Sequence, residues 1–282
     1  NIFWKIEKEG APISYLLGTV HISNPRVTAL PPVVEEAYKS VSDVVLELAE
    51  AVDAQKINAA MMERADLLMA KPGSDLREFV GEDAVEGLTR LLKDRGMAFE
   101  AAAALNPVIV YTMVALPACE FRLQAGGAAF LDRAIGQAAI KDGKTLSGLE
   151  TPVEQLEVFT SLEDDFVRES LRSAVSLGDK LDTLTATTVE LYLNEDIGAI
   201  MPLMEKATEE FTPNADLNAG YAAFTEALID KRNVKMAERA VNHLENAPTL
   251  IAVGALHLPG KTGLVELLRA KGYTLTAVPI TR

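Results

Sequence analysis

Two of the three histidines stand three positions after a glycine, and each pair directly follows a short apolar segment. Gly18 and His21 form the first pair, near the start of the sequence. Gly254 and His257 form the second, near its end. Glycine lets the backbone turn sharply and approach a ligand, and histidine offers a neutral nitrogen to a metal or a base near neutral pH. The repeated Gly-x-x-His pattern favours a functional site, with structural histidines as the alternative.

Two glutamates end apolar segments in a similar way, Glu47 within 43–48 and Glu150 within 144–150. A buried carboxylate needs a cation or a metal as its partner. Together with His21 and His257, these carboxylates would suit a divalent Zn, Mn, Co or Fe ion, without selecting among them. An open coordination position would then leave room for an activated water. The alternatives are a solvated strand end for Glu47 and a helix-entry carboxylate for Glu150.

The elements that must position these residues alternate between strand and helix at both ends of the chain. The pattern predicts strand, helix and strand over 13–17, 33–40 and 43–48, and again over 249–253, 262–271 and 273–278. Ligands of parallel α/β sheets bind at the carboxyl ends of the strands. We therefore predict an α/β fold, with a pseudo-duplicated βαβ core and a mixed or parallel sheet.

The middle of the chain is predicted to be a large, mainly helical insertion. Apolar residues recur with a helical period over 52–70, 83–95, 99–122, 127–141, 163–192 and 217–246. One strand candidate, 144–150, interrupts this stretch, and Thr151, Pro152 and Glu154 after it predict a capped helix start. No segment is long enough for a clean domain boundary. The chain is thus predicted to form one domain over 1–282, with core strands near 13–48, 144–150 and 249–278.

Composition excludes several classes of protein. The chain has 282 residues, with 27 Lys and Arg against 41 Asp and Glu, so its formal net charge is −14. This acidity argues against binding to nucleic acid or to anionic membranes. The single cysteine, Cys119, excludes a disulfide within the chain. The longest uncharged run is broken by Pro107 and Pro117, which predicts two packed helices and no integral membrane span.

Several segments, in the same order along the chain, resemble the TraB/GumN family, which is related to the Tiki, erythromycin-esterase-like and ChaN-like proteins. The main matches are 16–21, 43–47 and 251–260, supported by Phe3-Trp4-Lys5, Gly148-Leu149-Glu150-Thr151 with Gln155, 230–233 and Gly272-Tyr273. Each motif is short, but the set covers nearly the whole chain. The resemblance implies the metal-dependent protease activity described for Tiki-type members.

Carried over by position, the resemblance assigns the active site to His21, His257, Glu47 and Arg232. We expect His21, His257 and Glu47 to hold the metal, and Glu47, Glu150 and Arg232 to act in catalysis, with one glutamate as ligand and one as base. A guanidinium near a metal-bound water would orient the substrate or stabilise an oxyanion. The alternative for Arg232 is a surface ion pair with a neighbouring acidic residue on its helix.

Supporting roles are expected for Gly18, Gly254 and Asp132, although a helix-surface charge explains Asp132 equally well. The function expected is a metal-dependent hydrolase, and the resemblance alone makes it a peptidase. A non-catalytic protein that binds a peptide, haem or metal in the same pocket is the alternative. We expect a peptide or small-molecule substrate, no nucleic acid, and a homodimer. The resemblance also implies a bacterial protein that is periplasmic or lipid-anchored, and leaves a cytoplasmic location open.

Overall fold

A six-stranded mixed sheet forms the centre of the protein in a computed structural model, which describes residues 1–211 and 222–280. The strands are Phe3–Glu7 (β1), Ser14–Thr19 (β2), Asp43–Leu46 (β3), Thr145–Gly148 (β4), Thr249–Gly254 (β5) and Thr274–Ala277 (β6). Their order across the sheet is β4-β3-β5-β2-β1-β6. The predicted α/β class is therefore confirmed.

Four neighbouring strands, β4, β3, β5 and β2, run parallel to one another. β1 is antiparallel to both β2 and β6. The C-terminal strand β5 lies between the two N-terminal strands β2 and β3, and its residues are buried except for Gly254 at its end. Because the four parallel strands end at the same edge, the residues that follow them are brought together there.

Helices make up most of the remaining chain, and many are short. They are Pro25–Thr28 (α1), Pro32–Ser40 (α2), Ala54–Glu63 (α3), Ala65–Leu68 (α4), Leu76–Val80 (α5), Glu82–Lys93 (α6), Phe99–Ala102 (α7), Pro107–Ala115 (α8), Ala118–Ala125 (α9), Leu131–Lys141 (α10), Pro152–Thr160 (α11), Asp164–Leu177 (α12), Lys180–Leu193 (α13), Ile200–Phe211 (α14), 222–225 (α15), Lys231–Asn246 (α16) and Leu264–Ala270 (α17). A π-helical turn, Glu226–Asp230, joins α15 to α16. Three 3₁₀ turns are formed by Ala49–Val52, Ile197–Ala199 and Ala255–His257.

Two hydrophobic clusters stabilise these layers. The larger one contains the sheet and the buried faces of helices that include α2, α10, α16 and α17. The second lies within the helical insertion, where α12 packs against α5, α6 and α8. The insertion thus buries apolar surface of its own, in addition to covering the sheet.

Most helices lie where the apolar period predicts them, but several long segments are divided. The segment 163–192 forms α12 and α13, because the backbone reverses at Gly178, where φ is 49°. The segment 99–122 forms three short helices, and the predicted break at Pro117 separates α8 from α9. The part of the last segment that covers 217–221 lies outside the described residues.

No single helix in the described ranges combines the length and apolar composition needed to cross a bilayer. The pair α8 and α9 meets both criteria when taken together, but their axes differ by 101°.

The start of α11 has the predicted capping arrangement. The Thr151 side chain accepts a hydrogen bond from the Glu154 backbone N–H, and the Glu154 carboxylate accepts one from the Thr151 N–H. Arg239 on α16 donates two further bonds to Glu154, of 2.7 and 2.8 Å. The Arg239 guanidinium and the Thr151 N–H together lower the pKa of Glu154 to about 2, although partial burial opposes this. This ion pair fixes α11 against α16.

We expect Glu154→Gln to lower the free energy of unfolding by about 1 kcal/mol at pH 7, because the amide keeps the cap but loses the charge that faces Arg239. Since the folded-state pKa is depressed, the charge stabilises the fold fully above pH 4.5, the ordinary pKa of a glutamate, and progressively less as the pH falls towards 2. Urea unfolding at pH 7 and pH 3 should show the difference from wild type shrinking. The control is Glu157→Gln on the same helix, which removes a more exposed ion pair with Arg64 and should cost less. A difference that stays constant would contradict this account.

Candidate active site

Three buried charges lie together beyond the ends of β3 and β4. Arg232, on α16, donates from Nη2 to Glu47 Oε2 at 2.8 Å and to Glu150 Oε2 at 2.6 Å. Its Nε donates to Glu150 Oε1 at 3.0 Å, and its Nη1 donates to the Leu228 carbonyl at 2.9 Å. Between 4% and 9% of each of the three charged residues is exposed. The guanidinium therefore joins two strand ends to α16, and the group keeps one negative charge in excess.

Two further donors fix the carboxylates. The Gln155 side-chain amide, on the first turn of α11, donates to Glu150 Oε2 at 3.0 Å and to Glu47 Oε2 at 3.3 Å. The Gly254 backbone N–H, at the end of β5, donates to Glu47 Oε1 at 2.6 Å. The Glu47 carboxylate is thereby held from three sides, because a buried anion requires donors to replace water.

His257 lies in the 3₁₀ turn after β5, with its ring against Glu47. Its Nδ1 is 2.6 Å from Asn233 Oδ1, and the Asn233 amide nitrogen donates to the Thr262 carbonyl at 2.8 Å. That second bond fixes the amide so that its oxygen faces the ring, which requires the proton of His257 to be on Nδ1. Nε2 is left as an acceptor, 3.6 Å from Glu47 Oε1.

His21 is held in a matching way at the end of β2. Its Nδ1 is 3.1 Å from Asp132 Oδ2, and Thr19 Oγ1 donates to Asp132 Oδ1 at 2.7 Å. Its ring packs edge-on against Phe130, with centroids 5.3 Å apart, and 57% of the side chain is exposed. Asp132 itself is buried on α10. Both Gly-x-x-His histidines therefore have Nδ1 engaged, with Nε2 directed away from that partner.

The loop that carries His21 is also held by α9. Glu120 is the buried residue of this helix, and its Oε1 accepts from the Ser23 backbone N–H at 2.7 Å. Gln124, one turn later, donates to both Glu120 Oε1 and the His21 carbonyl. The helical insertion thus supplies Asp132, Glu120 and Gln124 to one side of the site.

The two glycines of the motifs lie at close backbone approaches. A Cβ atom on Gly18 would be 3.1 Å from the Ala255 Cα, so the two Gly-x-x-His loops touch each other at this point. A Cβ atom on Gly254 would be 3.0 Å from Glu47 Oε1. Any side chain at either position would push apart the segments that carry the histidines and Glu47.

Burial and neighbouring charges set the protonation states of Glu47, His257 and His21. Burial opposes ionisation of Glu47, but the charges of His257, Arg232 and His21 and the Gly254 N–H together lower its pKa to about 2. Burial outweighs the attraction of Glu47 and lowers the pKa of His257, which keeps this ring neutral at pH 7. For His21, desolvation is outweighed by Asp132, which raises its pKa to about 9. At neutral pH the site therefore combines an ionised Glu47, a neutral His257 and a protonated His21.

The types of donor at this site suit a divalent cation, but their positions suit it less well. Two ligands of one metal, each about 2.1 Å from it, lie about 3.4 Å apart in tetrahedral geometry, close to the 3.6 Å between His257 Nε2 and Glu47 Oε1. In the described residues, however, no group of three or more His, Cys, Asp or Glu side chains is arranged to hold a metal. The expected set of His21, His257 and Glu47 is therefore not assembled as one group, and the His21 ring contacts Asp132 and Phe130 instead.

All of the residues expected at the site lie at this edge of the sheet, Arg232 included, and the alternative of a surface ion pair does not apply to Arg232. It is buried and faces Glu47 and Glu150, not an acidic neighbour on its own helix. The sequence predicted no role for four further residues of the site, which are Asn233, Thr19, Glu120 and Gln124. Asn233 could have been found, because it shares a helix face with Met236, Ala237 and Ala240, all of them buried. A polar residue on such an apolar stripe indicates a specific partner.

Comparison with known proteins agrees with the segments identified above. A model of the TraB/PrgY/gumN family matches residues 2–277. The chain belongs to the TraB/PrgY/gumN family. Relatives of this family member include the "Metalloprotease TIKI homolog" of Amphimedon queenslandica, which is 24% identical over 321 residues and aligns with 100% of this chain and 62% of its own length. "Metalloprotease TIKI1" of Danio rerio is 24% identical, over 99% of this chain and 63% of its own length.

"Metalloprotease TIKI1" of Homo sapiens is also 24% identical, over 100% of this chain and 63% of its own length. The chain thus spans slightly over three-fifths of the length of these relatives. No solved structure matches it significantly. These relatives are named metalloproteases, while the roles of the individual residues of this chain stay predictions.

We expect Arg232→Ala to lower the free energy of unfolding by about 3–5 kcal/mol, because it leaves Glu47 and Glu150 buried without their cation. Urea unfolding at pH 7 measures the change. Lys231→Ala is the matched control: Lys231 is the preceding residue, and its ion pair with Glu226 is largely exposed. The control should alter stability by no more than about 0.5 kcal/mol. A loss below about 1 kcal/mol in Arg232→Ala would show that the carboxylates do not depend on the guanidinium.

Proposed function

We propose that the protein is a metal-dependent hydrolase of peptides, and that its active site is the polar group at the carboxyl ends of β2, β3, β4 and β5. The observation that carries this proposal is the hydrogen bond at Nδ1 that the two Gly-x-x-His histidines share. Each has Nδ1 bonded to a side-chain oxygen, Asp132 for His21 and Asn233 for His257. Histidines that bind metals are typically oriented in this way by a second partner, which leaves the other nitrogen for the ion.

A divalent cation would be held by His257 Nε2 and Glu47 Oε1, which lie 3.6 Å apart. His21 Nε2 would become a third ligand only by giving up the proton that its raised pKa retains at neutral pH and by approaching the other two donors. When bound, the cation would polarise a peptide carbonyl and lower the pKa of a water. The excess negative charge of the Glu47–Arg232–Glu150 group favours a cation at this place. The names of the relatives support the same class of cofactor, and Zn, Mn, Co and Fe all suit this mixture of donors.

Glu47 is proposed as a ligand and not as the general base. A carboxylate with a pKa of about 2 accepts a proton poorly at neutral pH, whereas efficient bases have pKa values near the working pH. Glu150 has both oxygens bonded to Arg232. Arg232 is proposed to hold these two carboxylates in place, since its Nε, Nη1 and Nη2 groups all donate within the protein.

We expect the wild-type protein, purified without chelator, to contain close to one divalent ion per chain by elemental analysis. His21→Ala and His257→Ala should each lower metal content and lower cleavage of a fluorogenic peptide library at least tenfold. His243→Ala, which removes the third histidine, on the helix α16 but outside the site, should leave both unchanged.

Two results would overturn parts of this proposal. Cleavage that survives removal of metal by a chelator would exclude a metal-dependent reaction. Metal bound at the site without any cleavage, with each of Zn, Mn, Co and Fe tested, would favour the alternative of a non-catalytic binding protein.

The Asn233 side chain offers a separate test of the proposed ligand. We expect Asn233→Ala to weaken metal affinity by about 10–100-fold, because the Nδ1–H of His257 loses the acceptor that fixes its orientation. Competition with a metal-sensitive dye measures the affinity. Asn242→Ala, further along the same helix, should leave it unchanged. Equal affinities for Asn233→Ala and wild type would exclude His257 as a ligand.

A further inference from the structure

An apolar cavity of about 350 Å³ lies between the helical insertion and the turn that carries His257. Among the described residues, its walls come from α8, α12, α13, α14 and α15. The wall on the side of the sheet is Leu256, which directly precedes His257 in the 3₁₀ turn. Since consecutive Cα atoms are about 3.8 Å apart, a residue that lines the cavity directly adjoins a residue of the polar site.

A second wall is also connected to the site through the backbone. Phe224, on α15, packs against Phe166 of α12, with ring centroids 5.4 Å apart. From Phe224 the chain continues through the π-helical turn to Arg232, which is eight residues further on. At about 1.5 Å per residue, this is about 12 Å along the helix. Two segments therefore connect the cavity to the site: the 3₁₀ turn, and the helical segment that runs from α15 into α16.

The lining predicts the chemistry of the occupant. None of the described residues that line the cavity is charged, and most are apolar. Met201 and Met204 lie on one face of α14, and leucines of α12 and α13 line the same cavity. Methionine side chains are flexible and adapt to guests of different shape. Such walls favour an uncharged, apolar guest and tolerate more than one shape.

The size of the cavity exceeds that of a packing defect. Well-packed interiors contain few voids larger than a water molecule, and a cavity of about 150 Å³ already binds benzene. The observed volume lies at the lower end of the range of small-molecule sites. It accommodates a large aliphatic or aromatic side chain.

We propose that this cavity receives a bulky apolar side chain of the peptide substrate, close to the bond that is cleaved at the polar site. This inference rests on the proposed peptide hydrolysis and adds a substrate preference to it. The protein would then favour peptides with Phe, Leu or Met at one fixed position near the scissile bond, because that side chain leaves water for the cavity.

The test uses two substitutions that reduce the cavity. Ala115→Trp acts at an exposed position of the lining, and Ala207→Phe acts at a buried one. Ala186→Trp is the matched control, since Ala186 is exposed on α13 and does not line the cavity. Circular dichroism checks whether each variant is folded. If the buried substitution Ala207→Phe prevents folding, Ala115→Trp alone serves as the test.

The first measurement is independent of catalysis. Fluorescence titration with the uncharged probe N-phenyl-1-naphthylamine is made on chelated protein, and binding should weaken at least tenfold in Ala115→Trp and Ala207→Phe but not in Ala186→Trp. Peptides that differ only by Phe or Ala at one position are then compared for binding to the same chelated proteins. The Phe peptide should bind at least tenfold more tightly to the wild type, and this ratio should be lost in Ala115→Trp.

The second measurement is cleavage of the same peptides with metal present. The ratio of kcat/KM for the Phe peptide to that for the Ala peptide should fall at least tenfold in Ala115→Trp. Cleavage whose preference is the same in all variants would overturn the cavity assignment and leave the hydrolase intact. Absence of cleavage, with the binding preference still lost in Ala115→Trp, would overturn the hydrolase and keep the cavity. Binding of the probe without any preference among peptides would also overturn the assignment, and would favour a lipid-like guest.

Discussion

The interaction on which the rest of the site depends is the contact of one guanidinium with two buried carboxylates. Placing three charges inside a protein costs more free energy than any one of their bonds returns, so they are tolerated only as a complete set. Arg232 therefore requires β3, β4 and α16 to end or pass within a few ångströms of one another. The parallel strands provide this, because their carboxyl ends share one edge of the sheet.

The two histidines are held by different parts of the molecule. His257 is oriented by α16, through Asn233. His21 is oriented by the helical insertion, through Asp132 on α10, while Glu120 on α9 holds the loop after it. The same insertion lines the apolar cavity beside Leu256. The sheet thus fixes the carboxylates, and the position of His21 relative to them depends on how the insertion packs. This division explains why His257 and Glu47 are already paired while His21 is not.

Five of the strands, β2 to β6, could be predicted from the sequence because each is a short β-prone run, and β5 was found within one residue of its observed end. β1 entered only through the family resemblance of Phe3-Trp4-Lys5. The positions of Glu47, Glu150 and both histidines followed from those strand ends. The order of the strands could not be predicted, because nothing local in 249–254 indicates that it lies between β2 and β3. Contacts such as Arg232 with Glu47 depend on that order, across 185 positions of sequence.

The central place of β5 has a consequence for how the chain reaches this structure. β2 and β3 are separated by fewer than thirty residues, yet they do not pair with each other. Both pair with β5, which begins only at Thr249. When the ribosome has made the first two hundred residues, the central strand β5 has not yet been synthesised. Contacts between such distant segments make folding slow. Until then, the unpaired edges of β2 and β3 are exposed to other chains, which makes this stage of synthesis the one most open to aggregation.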